Sequence, residues 1–336
     1  MFFRYTHCCY RYYNMSSKIC QADVEVLQDK SATGKVRPWA VHKANAQIIA
    51  EAYASVDLEK AERMFACADY LVYHKKEGGG MLLHDARFCR VRLCPICQWR
   101  RSLKTYAQMA KVLEVARAEG YEFLMLTLTI QNVYGDSLSE ALDDIMLAFN
   151  RMTKYKDFRS AVKGWYRGCE VTHNLNPASE WFDTFHPHFH IILAVKKSYF
   201  TSRYYIKQEK FFEMWEKALQ GKHVVKREDQ RINKCYGDFK SVAEACKYTT
   251  KADDIISKDS WQMTVDTIAV LDTALNKRRF IGLGGVLKEI HKKLNLADID
   301  DDEDLVHADE EAERDEEVAP DELIFYWNGY NQRYER

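Results

Sequence analysis

The chain has 336 residues, 47% of them apolar, which allows one large domain or two medium ones with a sizeable core and excludes a mostly disordered protein. No apolar run approaches the roughly 18 residues of a membrane helix, and the stretch from Met1 to Met15, which could hold a second initiator at Met15, lacks the apolar core of a signal peptide. The formal charge of −1 hides an asymmetry: Asp298 to Glu322 holds fifteen acidic residues against Arg314 alone, so the rest of the chain carries +13, which suits a polyanion such as nucleic acid but equally a solvated surface with a solubilising tail.

Residues 1–60 read as an N-terminal extension with a helical stretch from Ala44 to Ser55. Residues 61–115 form a cysteine-rich unit. The ten cysteines come without a secretory pattern, which predicts a reducing, cytoplasmic setting, where a tight cluster is more often a metal site than a disulfide framework. Cys94-x2-Cys97 is half of a common zinc spacing, Cys89 precedes it, and Cys67 is the favoured fourth ligand, with His84 and His74 as competitors. Four thiolates would leave no open position, so Zn²⁺ there would be structural; four buried free thiols are the alternative. The run Trp99, Arg100, Arg101 and Lys104 follows. Together with Lys277, Arg278 and Arg279 it offers candidate DNA-binding contacts on charge alone, which solvated surface would satisfy as well.

Residues 116–296 carry the informative periodicity. Phe123 to Ile130 (FLMLTLTI) suits a buried strand, and Ser137-x-x-Glu140 opens a helix with Leu138, Leu142, Ile145, Met146 and Phe149 at helical spacing. Strands are predicted at Lys163 to His173, Pro187 to Val195 and, briefly, His223 to Lys226; helices at about Ser202 to Leu219 and Ser241 to Ile256. This order predicts an α+β fold, an antiparallel sheet with helices on one face, close to the ferredoxin-like arrangement. Residues 297–322 read as an acidic disordered tail. The aromatic segment 323–336 is a candidate to dock back on the body.

Two motifs carry chemistry. In His186-Pro187-His188-Phe189-His190, alternate side chains of a strand share one face, so two or three imidazoles can converge on one ion, and Glu170 joins them if its strand pairs antiparallel. In Glu244-Ala245-Cys246-Lys247-Tyr248-Thr249-Thr250-Lys251, a helix would set Glu244, Lys247, Tyr248 and Lys251 in one stripe. Lysines favour the phenolate and can neutralise a phosphate; the carboxylate one turn away can act as a general base. A salt-bridged surface with an ordinary tyrosine fits that stripe too.

Taken together, Leu124–Ile130, Glu170-Val171-Thr172, His186–His190, Lys247-Tyr248-x-x-Lys251 and Arg278–Lys288 resemble, in order, the motifs of rolling-circle plasmid replication initiators of the Rep_1 type, within the HUH endonuclease superfamily. The likeness spans roughly residues 35–296, and Tyr248 follows the histidines as in replication initiators rather than relaxases. The resemblance implies an HUH nuclease domain and a metal-dependent, site-specific DNA endonuclease and strand transferase. Tyr248 would be the nucleophile, forming a 5′-phosphotyrosine and freeing a 3′-OH primer. His188, His190 and Glu170 would hold Mg²⁺ or Mn²⁺, with His186 a ligand or a support for one. Glu244 would activate water, or strand transfer would occur, at termination. Implied partners are origin DNA, single-stranded or in an extruded hairpin, and the host helicase and DNA polymerase; no membrane is implied. A single-tyrosine HUH transposase and a non-cleaving origin-binding initiator are the competing readings.

Overall fold

The computed structural model describes residues 24–31, 34–75, 80–226, 229–235, 239–246, 249–300, 304–308 and 322–336. In chain order its elements are α1 (Trp39–Tyr53), α2 (Leu58–Phe65), β1 (Tyr70–Lys75), β2 (Met81–Ala86), α3 (Pro95–Ala118), β3 (Tyr121–Thr129), α4 (Leu138–Met152), α5 (Lys156–Ala161), β4 (Val162–Asn174) and β5 (Thr184–Lys196). They continue with α6 (Gln208–Leu219), β6 (Arg231–Cys235), α7 (Phe239–Ala245), α8 (Trp261–Leu275), β7 (Ile281–Gly285), α9 (Val286–Lys293), β8 (Glu322–Asn328) and β9 (Arg333–Glu335). No helix among the described residues is long and apolar enough to cross a membrane.

The larger sheet is antiparallel throughout, in the order β6-β3-β5-β4-β7. Its central strand explains the layering. Ile191 to Val195 are all fully buried, so both faces of β5 must be covered. Phe189, Ile191 and Leu193 meet one apolar cluster with Phe149 of α4 and Trp215 of α6; Ile192 and Ala194 meet a second with Val112 of α3, Ala245 of α7 and Leu287 of α9. The expectation of helices on one face is therefore corrected: an uninterrupted apolar run has no wet side. The short strand expected at His223–Lys226 is also absent. Val224 contributes only a carbonyl to Gln131, and the strand beside β3 is β6, with Ile232 opposite Leu126.

At the other edge β7 pairs with β4, and its glycines are dictated by what lies across them. A side chain on Gly284 would overlap the Trp165 ring, and Gly285 has φ +56° with the Lys163 carbonyl in the way of a Cβ.

The smaller sheet, β2-β1-β8-β9, pairs strands of residues 70–86 with strands of residues 322–335. Phe325 of β8 pairs with Leu71 of β1, Phe325 is fully buried, and the Tyr334 hydroxyl donates to the Ala68 carbonyl at 2.6 Å. The aromatic segment 323–336 does dock back, as strands of the cysteine-rich unit. Residues 298–300 and 304–308, assigned to a disordered tail, pack as well: Ile299, Leu305 and Ala308 are buried. Helix α3 joins the two sheets. It starts with Pro at its first position, which suits an N–H that no helical carbonyl would accept, and is followed by Gly120 at φ +90°. Its first turns pack in the cysteine unit and its last turns against the large sheet, so the boundary expected at residue 115 falls inside one continuous helix.

Gly284→Ala should cost about 1–3 kcal/mol and lower the melting temperature by several degrees, because Trp165 must leave β7 or β7 must leave β4. An unchanged melting temperature would show that the ring is not seated against that glycine.

Candidate active site

The register of β5 between β3 and β4 builds the histidine face. His188 stands opposite Glu170 of β4 and Thr129 of β3; His190 stands opposite Gly168 and Thr127. Both Nε2 atoms point at one carboxylate oxygen, Glu170 Oε2, at 3.1 Å from His188 and 3.0 Å from His190. The His188 Nδ1–H donates to the His186 carbonyl at 3.2 Å, which leaves the neutral ring an Nε2 lone pair facing a carboxylate oxygen. Acceptor against acceptor is repulsive unless a proton or a cation lies between them. The three ligand atoms lie within 4.8 Å of one another, and anchoring the far ring nitrogen on a carbonyl is how metal-ligating histidines are held. The residues fit a divalent ion.

Lys251 completes this group from the other side of the carboxylate, with its ammonium 2.6 Å from Glu170 Oε1. Burial alone would raise the Glu170 pKa; with a proton between the imidazoles and the carboxylate, His188 and His190, joined by Lys251, outweigh it and hold the carboxyl far below its usual range. His186 is not brought into the group. Its Nε2 lies 2.5 Å from the Thr129 hydroxyl. Thr129 escaped the sequence reading, although it closes the Leu-Thr-Leu-Thr alternation that faces the histidine strand.

The predicted Ser241–Ile256 helix is corrected. Helix α7 ends at Ala245, and a separate short turn covers Ala252–Asp254. Between them the chain bonds to β4: the Tyr166 hydroxyl donates to the Ala245 carbonyl at 3.3 Å, and the Val171 N–H donates to the Thr249 carbonyl at 2.7 Å. The free edge of β4 beyond β7 captures this stretch, so Glu244 and Lys251 do not share a helical stripe. Glu244 is half-buried on α7. Lys247 and Tyr248 lie outside the described residues.

The cysteine cluster is closed. Cys67, Cys89, Cys94 and Cys97 are all buried and free, with Sγ separations of 3.6 Å for Cys67–Cys97 and Cys67–Cys94 and 3.7 Å for Cys89–Cys97. A disulfide needs about 2 Å. Tetrahedral zinc, with Zn–S of about 2.3 Å, sets its sulfurs about 3.8 Å apart. Backbone N–H groups of Cys89 and Arg90 donate to Cys67 and Cys97 Sγ at 3.4 and 3.3 Å, and the buried Lys43 ammonium donates to the Cys67 carbonyl at 2.7 Å. This environment suits thiolates and fits Zn²⁺. Lys43 was missed, yet it is the one charged residue on the apolar stripe Trp39, Ala46, Ala50, Tyr53. His84 and His74, the competing ligands, lie elsewhere, on the small sheet.

The basic residues after the knuckle are not free to meet DNA. Arg100 is 1% exposed; it donates to the carbonyls of Leu305 and Val306 at 2.8 and 2.6 Å and stacks on Trp39 and Trp99. Trp99, Arg101 and Lys104 are likewise buried, because they occupy the inward turns of α3. Arg278 pairs with Asp143 and donates to Ser139 and Ala274 carbonyls; Arg279 pairs with Asp298 at 2.6 Å. Of the seven residues assigned to DNA, Lys277, at φ +52°, and Arg279 are exposed.

The Rep_1 family model, described as Replication protein, matches residues 80–335. The chain belongs to this family. It is 36% identical over 334 residues to "Protein rep" of Bacillus amyloliquefaciens, covering 91% of this chain and 96% of the relative. It is 34% identical to "Protein rep" of Lactiplantibacillus plantarum, covering 92% and 98%, and 32% identical to "Replication protein" of Staphylococcus aureus, covering 70% and 96%. No solved structure matches. The family is the one to which the ordered motifs pointed, that of rolling-circle plasmid replication initiators. In this Rep_1 protein the matched span includes Cys89, Cys94, Cys97, the histidine strand and the C-terminal strands β8 and β9.

Arg100→Ala should destabilise the protein by about 3 kcal/mol, since two buried carbonyls lose their donor, while DNA affinity well below the melting temperature stays within about twofold. Lost DNA binding with an unchanged melting temperature would return Arg100 to the DNA surface.

Proposed function

We propose that this initiator nicks and rejoins one DNA strand at a plasmid origin, with Tyr248 as nucleophile and a divalent ion held by Glu170, His188 and His190. The observation that carries the reading is the single carboxylate oxygen faced by two imidazole nitrogens at 3.0 and 3.1 Å. Two features support Tyr248. The residue after it, Thr249, is hydrogen-bonded to Val171, the neighbour of Glu170, and the residue three before it, Ala245, is bonded to Tyr166 on the same strand. The placement of β5 between β3 and β4, with α4 and α6 on one face, supports a ferredoxin-like HUH core to which β7 and the layer of α3, α7 and α9 are added.

The Tyr248 oxygen would form a bond to the scissile phosphorus as the bond from phosphorus to the 3′ oxygen breaks. The 5′ phosphate remains on the tyrosine, and the departing oxygen takes a proton to give a 3′-OH that primes the host polymerase while the host helicase opens the duplex. Bound Mg²⁺ or Mn²⁺ supplies charge to polarise the phosphate. Lys251, through Glu170, keeps the ligand carboxylate ionised and adds positive charge beside the phosphate. Burial disfavours that ammonium, but Glu170 outweighs the cost and raises its pKa. Glu244 would activate the water that ends a round by hydrolysis. The cysteine cluster would hold Zn²⁺ and fix the start of α3, and thiols rather than disulfides suit a reducing cytoplasm.

Incubation with Mn²⁺ and a single-stranded origin oligonucleotide should give an adduct on a denaturing gel. Tyr248→Phe should lower its formation by more than about a thousandfold while origin binding persists. An adduct persisting in Tyr248→Phe would move the nucleophile elsewhere, with Tyr236 the next candidate. Glu244→Ala should keep initiation and impair termination; equal loss of both would sink that division of labour.

A further inference from the structure

A second cluster of metal-ligating side chains lies on the outer face of the small sheet, outside both sites above. His74 of β1 stands directly across from Glu322, the first residue of β8, and His84 comes from β2 on the opposite side of β1. The two imidazoles stack with centroids 3.8 Å apart and planes 21° from parallel. His74 Nε2 is enclosed yet has no hydrogen-bond partner. It lies 3.6 Å from Glu322 Oε1, beyond hydrogen-bonding distance. The ligand atoms of all three residues lie within 4.8 Å of one another.

We infer that His74, His84 and Glu322 form a binding site for a zinc-class transition ion that clips the C-terminal strand onto the cysteine-rich unit. Two imidazoles and one carboxylate are a borderline donor set, favouring Zn²⁺, Ni²⁺ or Cu²⁺ over Mg²⁺. Nitrogen and oxygen ligands at about 2.0–2.2 Å from one ion stand up to about 4.4 Å apart, so turning the stacked imidazoles until their ring planes converge, with a rotation of the exposed Glu322 side chain, would close the set. The ion answers a specific defect, the unpartnered His74 nitrogen. It also ties three strands whose ligands come from residues 74, 84 and 322, so occupancy is linked to the docking of residues 322–336.

The test uses the full-length protein carrying His188→Ala and His190→Ala, which removes the active-site cluster and leaves the cysteine cluster as the other metal site. This parent is compared with the same protein carrying His84→Ala in addition. After equilibration with Zn²⁺ and gel filtration, the parent should retain about one zinc per chain more than the His84→Ala variant. A hundredfold excess of Mg²⁺ should not displace it. Zn²⁺ should raise the melting temperature of the parent and not that of His84→Ala, the two melting alike in EDTA. Glu322→Gln, which keeps both imidazoles, should weaken the added zinc at least tenfold, since even residues that merely orient a ligand are worth about 10–100-fold. Equal zinc content and affinity in the parent, His84→Ala and Glu322→Gln would overturn the site.

Discussion

The antiparallel pairing of β4 with β5 is the constraint on which the rest depends. Both strands are thirteen residues long, and their register places Glu170 opposite His188 while Ile191 to Val195 anchor the same strand in the core. A slip of one residue would turn the histidines toward Phe149 and Trp215 and expose Phe189 to the polar side. The apolar half of β5 therefore fixes the geometry of its polar half. Phe189 packs 5.8 Å from Phe149 and 6.1 Å from Trp215, centroid to centroid, and the Trp215 N–H donates to the Thr129 carbonyl at 2.9 Å. The helical layer on one face thus holds the strand ends that carry the chemistry on the other.

Helix α3 transmits a second constraint. Cys94 caps it and Cys97 lies in its first turn, so the cysteine cluster sets where the helix begins. Twenty-four residues rise about 36 Å, long enough to run from that cluster to the far layer of the large sheet. The C-terminal strands close the unit from which it starts: Tyr334 reaches the Ala68 carbonyl and Arg336 pairs with Glu25 at 2.6 Å. A knuckle that looks local in sequence is completed by the last residues of the chain.

Much of the site was legible because its signals are short-range. The His-x-His-x-His alternation fixes one face of a strand, the apolar run after it fixes burial, and the cysteine spacing marks a cluster. Glu170 followed once antiparallel pairing was assumed. What sequence could not show is competition between distant partners. Read from sequence alone, residues 241–256 suit one helix, yet the exposed edge of β4 takes the Thr249 carbonyl and α7 ends at Ala245. Helix α8 went unread although Ser260 caps it, accepting from the Met263 N–H, and Thr264, Ile268, Leu271 and Leu275 mark its buried stripe. Its polar Asp272 is what holds Tyr53 and Lys60 of the first helices, at 2.5 and 2.7 Å.

The charge asymmetry changes meaning once the chain is folded. Counted along the sequence, a basic body and an acidic tail are separate blocks. In space the first acidic residues lie on the body: Asp298 pairs with Arg279, Asp300 stands 3.8 Å from Arg92 and accepts from the Phe280 N–H, and the carbonyls of Leu305 and Val306 take the Arg100 guanidinium. Buried arginines such as Arg100 and Arg167 are held by carbonyls and aromatic rings rather than by phosphate. The thirteen excess positive charges therefore overstate the field offered to a polyanion, and a basic residue in this chain earns a place in a DNA surface only after its folded partners are known. By that criterion Lys251 differs from the arginines of α3. Its partner is the anionic ligand of the candidate active site, so the charge it brings is directed at the place where a phosphate would have to sit.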